Sequence, residues 1–396
     1  MKKFKKFLAL AATAAMVVGS LAGCGGADNS ADAGNPEATT FKIGGIGPTT
    51  GGAALYGIAV QQGAELAVKE INEAGGINGV QIEFQMEDDE HDAEKAVNAY
   101  NSLKDWGMQM LMGTVTSTPC AAVVENTFAD NMFQLTPSGS SVAAIAHENA
   151  YRVCYSDPNQ GAASAEFIGE KALATKVAVI YNSASDYSTG IYEQFATEAA
   201  NYTDVYEVVA VEAFQGDDAT DFTVQVQKAK EAGADLVFLP IYYQAASLIL
   251  KEADKIGYAP MFFGCDGMDG ILDMKGFDTT LAEGLALLYP LAIGGSDEKT
   301  VNFIAAYEEA YGSTPIQFAA DAYDAMYIIK QAAEEAGVTP DMSVSDMCDA
   351  MVAAMGSLEY TGLTTGGEPM TWSADGEPTK APMAVVIKDG AYTAME

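Results

Sequence analysis

From Phe41 onward the chain alternates between two apolar textures. Short β-branched runs are apolar at nearly every position or at every second one. Longer segments carry apolar residues three and four apart, the spacing of one helix face. Phe41-Lys-Ile-Gly-Gly-Ile predicts a buried strand that stops at a glycine-rich turn, Gly47 to Gly52. A helix over Ala54 to Ala74 follows and ends at Gly75-Gly76. Val80 to Met86 alternates as a second strand, Ala93 to Leu103 is helical, and Gln109 to Met112 is a third strand. Pro119 to Phe128 is then a helix and Met132 to Leu135 a fourth strand. The rhythm restarts after Asn159. Helices are predicted over Gly161 to Ala172, Tyr187 to Asn201, Asp221 to Ala232 and Ala245 to Ile256. Between and after them lie strands at Lys176 to Tyr181, Val205 to Glu212, Leu236 to Leu239 and Met261 to Phe263. Strands separated by helices at this spacing build doubly wound parallel sheets, and two such runs in succession imply an α/β chain with two lobes. A block from Lys299 to Ala354 has more helix than strand and is expected to return to the first lobe.

Before Phe41 the texture is different. Lys2, Lys3, Lys5 and Lys6 precede an apolar run from Phe7 to Val18 and then the small-residue stretch Leu21-Ala22-Gly23-Cys24. That order reads as a secretory signal whose apolar run is too short for a stable bilayer span. A small-residue pattern ending in cysteine resembles the bacterial lipobox, in which the cysteine is lipidated and becomes the new N-terminus. Each buried methylene contributes ~0.8 kcal/mol, so several acyl chains anchor nearly permanently. Gly25 to Thr40 is small, polar and free of aromatics. It reads as a flexible tether with a reach of roughly 20–25 Å.

Charge and missing motifs narrow the function. The full chain carries a net charge of -35. Loss of residues 1–23 removes four lysines and no acid, leaving 16 basic against 55 acidic side chains and a net charge of -39. So acidic a surface repels phosphate backbones and excludes nucleic acid as a partner. With Cys24 lipidated, Cys120, Cys154, Cys265 and Cys348 remain, widely spaced and without a CxxC pair. That is neither a zinc pattern nor a dense disulfide framework, though a disulfide stays open. His91 sits in the acidic segment Glu87-Asp-Asp-Glu-His-Asp, which reads as a solvated face lacking the EF-hand glycine and spacing. No HExxH, GxSxG, Walker A or GxGxxG pattern occurs, so no enzyme, metal centre or cofactor is expected.

Ligands of open α/β sheets gather beyond the carboxyl ends of the strands. Gly113-Thr-Val-Thr-Ser-Thr-Pro-Cys leaves a strand and opens a helix, with Ser117 or Thr118 as cap and Pro119 at the first helical position. Thr136-Pro-Ser-Gly-Ser-Ser repeats the device. Two helix starts on adjacent strands would aim N–H groups and hydroxyls at one place, which suits a carboxylate. In the second half, Asp266 in Gly264-Cys-Asp-Gly-Met-Asp ends a strand and can attract a cation. Tyr56, Tyr187 and the Tyr242-Tyr243 pair all fall in loops of the expected cleft.

Several stretches match a known family. They are Leu55-Tyr-Gly with Gln62-Gly-Ala-Glu-Leu-Ala, Ile71-Asn-Glu-Ala-Gly-Gly-Ile-Asn-Gly, the Asp88-Asp89 strand exit, Thr136-Pro-Ser, and Ser156-Asp-Pro-Asn-Gln-Gly. Over essentially Phe41 to Glu396 the chain resembles the type I extracellular solute-binding proteins that deliver branched-chain and related amino acids to ABC transporters. The resemblance implies a ligand α-carboxylate on Ser117 and Ser140, with Ser138, Gly139 and the Val115–Thr116 backbone beside them. It implies the α-ammonium on Asp266, where leucine-type binders carry the longer glutamate. Tyr187 and Tyr242 match aromatic positions that close over the ligand, Tyr56 matches the first-lobe aromatic, and Asp157 falls at the crossover between lobes. The family's early disulfide has no counterpart, because His91 occupies the region of one partner.

The expected architecture is therefore two Rossmann-like lobes joined by a three-strand hinge. Residues 1–23 are the leader and 24–40 the tether. Lobe 1 takes 41–156 plus 290–382, and lobe 2 takes 157–289 plus 383–396. The expected function is a lipid-anchored, monomeric amino-acid receptor serving the permease subunits of an ABC importer on the outer face of the cell membrane. A receptor of the same fold for an amide, urea, short peptide or aromatic acid, or a ligand-sensing module, is the alternative.

Overall fold

The computed structural model describes residues 38–289, 297–380 and 382–395. The leader, Cys24 and most of the proposed tether lie outside them, as does the 290–296 stretch where a lobe boundary was expected. Five strands form the first sheet in the order β2-β1-β3-β4-β5, all parallel: β1 Phe41–Gly47, β2 Ile82–Asp88, β3 Met110–Gly113, β4 Gln134–Thr136 and β5 Ala150–Arg152. Helices α1 Ala54–Glu73, α2 Ala93–Trp106 and α3 Ser117–Ala129 connect them.

The chain then enters a second sheet through α4 Asp157–Glu170. Its strands are β6 Lys176–Asn182, β7 Glu207–Phe214, β8 Leu236–Leu239, β9 Met261–Gly264, β10 Ala286–Leu288, β11 Ala384–Lys388 and β12 Ala391–Ala394. Their order is β12-β11-β10-β9-β8-β6-β7, parallel from β7 to β10 and antiparallel through β11 and β12. Helices α5 Asp186–Ala199, α6 Thr223–Glu231 and α7 Tyr243–Lys255 cover it. The remaining helices, α8 Glu298–Tyr311, α9 Gln317–Ala336 and α10 Val344–Met355, lie back on the first lobe, with α9 against α1. The two-lobed α/β architecture read from the alternation is the one observed.

Helix boundaries follow local chemistry near the site. Ser156 and Ser185 accept from Asn159 N and Ser188 N, at 3.4 and 3.5 Å, and start α4 and α5 at the lobe crossover and at the cleft. Two glycines of α1 are required by close approach. A Cβ on Gly57 would lie 2.0 Å from the Pro48 carbonyl oxygen, and one on Gly63 would lie 2.0 Å from that of Ala319. These contacts press the start of α1 onto the β1 exit loop and its middle onto α9. The β4–β5 connection differs from expectation. Instead of a second helix it forms a single 3-10 turn, Val142–Ile145, because the chain must be back in register with β4 at Ala150. Four strands too short to carry a pattern, β5 and β10 to β12, were not foreseen. Cys120, Cys154, Cys265 and Cys348 are all buried free thiols.

Candidate functional site

Both sheets aim their carboxyl ends at one interlobe space, the crevice expected of doubly wound folds. Its walls are Tyr56, Val115, Thr116, Ser138 and Ser140 from the β1, β3 and β4 exits, Tyr187, Tyr242, Asp266 and Gly267 from the second lobe, and Phe318 from α9. Eight of the residues singled out in the sequence thus surround one cavity. In this closed arrangement it measures about 10 Å³, room for about one water molecule.

The first-lobe wall is a hydroxyl-lined loop. Thr136 Oγ1 donates to Thr114 O at 2.6 Å and accepts from Gly139 N at 2.7 Å, which folds the loop tightly. Ser138 Oγ donates to Val115 O at 2.7 Å. Ser117 Oγ lies 3.3 Å from Ser140 Oγ and accepts from Ser141 N at 3.2 Å, so Ser117 supports the wall from behind. Helix α3 begins at Ser117 with Thr116 as N-cap and no side-chain cap. The hydroxyls expected to cap are used elsewhere, Ser117 Oγ by Ser141 N and Thr118 Oγ1 by Asp186 Oδ2 at 3.0 Å, while Thr116, the residue that stands at the cap, bonds His91 Nδ1 through its Oγ1 at 2.8 Å. The first-turn N–H groups of α3 still present the positive end of a helix dipole to this wall.

The loop is held from beneath by Arg152, the one arginine of the chain. Its guanidinium donates to the carbonyls of Gly139 at 3.2 Å, Ser140, and Ser141 at 3.0 Å, and pairs with Glu377 at 3.0 Å. Gly139 therefore serves the site through its backbone, away from the cavity. Nothing in the sequence marked this role for Arg152.

Across the cavity stands Asp266. Tyr187 Oη donates to its Oδ1 at 2.8 Å and accepts from Gly267 N at 2.9 Å. Gln160 Oε1 accepts from Asp266 N at 3.0 Å, and Gln317 Nε2 donates to Asp266 O at 2.7 Å. Burial raises the Asp266 carboxyl to about 6, against the lowering bonds from Tyr187 and Gln160. Burial, and then Asp266, hold the Tyr187 phenol well above its ordinary range, so it acts as a neutral donor.

Aromatic rings complete the enclosure. Tyr56 stacks on Phe318 at 4.3 Å and meets Tyr242 edge-on at 5.4 Å, while Tyr187 stacks on Tyr242 at 4.8 Å. Tyr56 Oη donates to the Gly267 carbonyl and Tyr243 Oη to Gly52 O at 2.7 Å, both across the lobes. Phe318 was missed because the first turn of an apolar helix reads as core.

Two residues stand apart from expectation. His91 is not on a solvated face. It bridges Thr116 Oγ1 and Asp217 Oδ2, the latter at 3.2 Å, and meets Tyr242 edge-on at 5.5 Å. Asp157 is buried at the start of α4 but lines a neighbouring cleft rather than this cavity.

The model of the periplasmic binding protein family matches residues 40–391 of this chain. The chain belongs to that family. This periplasmic binding protein is 28% identical over 313 residues to the leucine-, isoleucine-, valine-, threonine- and alanine-binding protein of Pseudomonas aeruginosa, covering 78% of this chain and 82% of the relative. It is 30% identical over 304 residues to the Leu/Ile/Val-binding protein homolog 3 of Brucella melitensis, covering 76% and 80%. Among solved structures it resembles the branched-chain amino acid transporter substrate binding protein LivJ of Streptococcus pneumoniae in complex with isoleucine. That match has a TM-score of 0.79 at 27% identity, over 90% of this chain and 98% of the other. A benzoate-bound solute-binding protein from R. palustris shares the fold alone, with a TM-score of 0.78 at 20% identity. The protein is thus a type I periplasmic binding protein of the branched-chain amino acid transporter group. No helix among the described residues is long and apolar enough to cross a membrane, and they hold no cluster of three metal-ligating side chains.

Proposed function

We propose that the protein is a lipid-anchored receptor that captures an amino acid, branched-chain or otherwise aliphatic, and delivers it to an ABC importer. The observation that carries this reading is the opposition of the Ser138–Ser140 wall to Asp266 across one cavity. A zwitterion needs an anion pocket and a cation pocket, and here the two come from different lobes. The α-carboxylate would take the loop hydroxyls and the N–H groups of α3, and the α-ammonium would replace the Tyr187 phenol on Asp266. Tyr56, Tyr242 and Phe318 would pack the aliphatic side chain. The ligand then favours closure of lobe 1 (41–156 plus 290–382) on lobe 2 (157–289 plus 383–396), by no more than its differential affinity for the closed form. One buried charge-assisted bond contributes about 1.5–3 kcal/mol, so several together give micromolar or tighter binding.

Calorimetry of ligand-stripped protein against a panel of amino acids tests the reading. Heat with an aliphatic member supports it, and no heat with any member removes the amino-acid assignment. The anchor is tested separately: Cys24→Ser should move the protein from the detergent phase of a lysate to the aqueous phase.

A further inference from the structure

Asp157 lines a cleft of about 440 Å³ that opens between Ser141, Val142 and Ala143 of the first lobe and α5 of the second. None of the residues lining it is basic, and two more carboxylates, Asp186 and Glu193, stand on its α5 side. Asp157 is 1% exposed, and neither of its carboxylate oxygens has a well-formed hydrogen bond among the described residues, the Ser140 hydroxyl being the side chain that most favours its charged form. The hydroxyl of Ser141, 4% exposed and on the opposite wall, is likewise without one. A buried carboxylate in this condition is costly, because water is removed from it and nothing replaces the water. Helix α5 comes down directly over it: a Cβ on Gly190 would lie 3.0 Å from Asp157 Cβ. Asp186 already accepts from Thr118 Oγ1 at 3.0 Å, which ties the two lobes at the rim of the cleft.

We propose that this cleft is a second binding site, selective for an ammonium or guanidinium group, with Asp157 as its anchoring carboxylate and Asp186 and Glu193 supplying the surrounding negative potential. A cation with N–H donors satisfies the two Asp157 oxygens and the Ser141 hydroxyl together. Since the cleft has a wall from each lobe, its occupant adds to the free energy of closure. Burial, then Asp266 and Asp186, push the Asp157 carboxyl well above its ordinary range against Ser140 and Arg152, so a cation arriving there displaces a proton.

The ammonium can belong to a separate amine or to the far end of the captured amino acid, and calorimetry on the ligand-stripped mature chain separates the two. The probes are putrescine, lysine, and norleucine as the uncharged analogue of lysine. Putrescine that binds one-to-one to protein already saturated with leucine, with proton release in buffers of different ionisation heat, identifies a separate amine. Lysine that binds at least tenfold tighter than norleucine and competes with leucine identifies the ligand's own amine. In either case Asp157→Asn should weaken the cation at least tenfold. Glu193→Gln, on an exposed residue that does not threaten folding, should weaken it by about threefold. The proposal is overturned if neither putrescine nor lysine binds better than norleucine, or if binding survives both substitutions unchanged. Leucine alone, run in parallel, reports on the amino-acid site independently, so failure there leaves the putrescine arm intact.

Discussion

Tyr187 Oη donates to Asp266 Oδ1 at 2.8 Å, so in the closed protein a neutral phenol occupies the position an ammonium group would take. The carboxyl is poised rather than committed, because burial has raised it to about 6. Under the proposed function, protonation and the ligand's ammonium compete for the same oxygens. Amino-acid affinity should therefore be flat above pH 7 and fall by about tenfold per unit below pH 6. Titrating leucine by calorimetry between pH 4.5 and 8 checks this. Asp266→Asn should lower affinity at pH 7 by at least tenfold and flatten the profile. A wild-type profile with no acid limb would remove Asp266 from the ammonium pocket.

Ser140→Ala tests the opposite wall. Ser140 lines the cavity, and Ser117 supports it from behind at 3.3 Å. Losing one charge-assisted bond should weaken leucine by about ten- to a hundredfold. Leucinol, which lacks the carboxylate, should bind poorly to wild-type and variant alike. Equal losses for leucine and leucinol would point to collapse of the loop instead.

His91 joins Thr116 of the first lobe to Asp217 of the second. The bridge spans the two lobes, so under the proposed hinge closure its effect belongs in the dissociation rate. His91→Ala should raise that rate roughly threefold to tenfold and leave the association rate nearly unchanged. Stopped-flow displacement of bound leucine measures both. An unchanged dissociation rate would mean the bridge contributes nothing to closure.

Buried carboxyls also set the pH dependence of stability. Burial raises Asp89 and Asp266 to about 6 and Asp269 and Asp321 to about 7. An unfolded chain holds its aspartates near about 3.9. The folded protein thus keeps protons that the unfolded chain releases, and stability is lost as pH rises through the window from about 4 to about 7. Repulsion within so acidic a chain acts in the same direction. Ligand-free protein should melt at a higher temperature at pH 5 than at pH 8, and a melting temperature by differential scanning fluorimetry that is flat or rising across that range would mean these carboxyls are not shifted.

Much of this was legible because the periodicities are strong and the cleft is built from strand exits. Tyr56, Tyr187, Tyr242 and Asp266 each follow a recognisable strand, so topology alone gathers them around one cavity. The rest depends on contacts between residues far apart in the chain. His91 and Asp217 are separated by 126 positions, and nothing local distinguishes a bridging histidine from a solvated one. Phe318 is hidden in a helix that reads as core. Strands β10 to β12 have three to five residues each, too few for a period to emerge.

Arg152 gives the sharpest test of how the site is supported. It touches no part of the cavity, yet its guanidinium holds the carbonyls of Gly139, Ser140 and Ser141, and Glu377 balances its charge at 3.0 Å. With those carbonyls drawn beneath the loop, the opposite side of the same backbone is free to face the cavity. Arg152→Met keeps much of the volume but leaves buried carbonyls without donors and the Glu377 carboxylate without its partner. Removing one member of a buried charged set destabilises by about 3–5 kcal/mol, which urea denaturation can measure. Glu377→Gln, on the more exposed side of the pair, should cost well under that. If the loop is the carboxylate pocket, Arg152→Met at a temperature where it remains folded should also bind leucine at least tenfold more weakly. A variant that is destabilised but binds normally would show that Arg152 supports the fold without shaping the site.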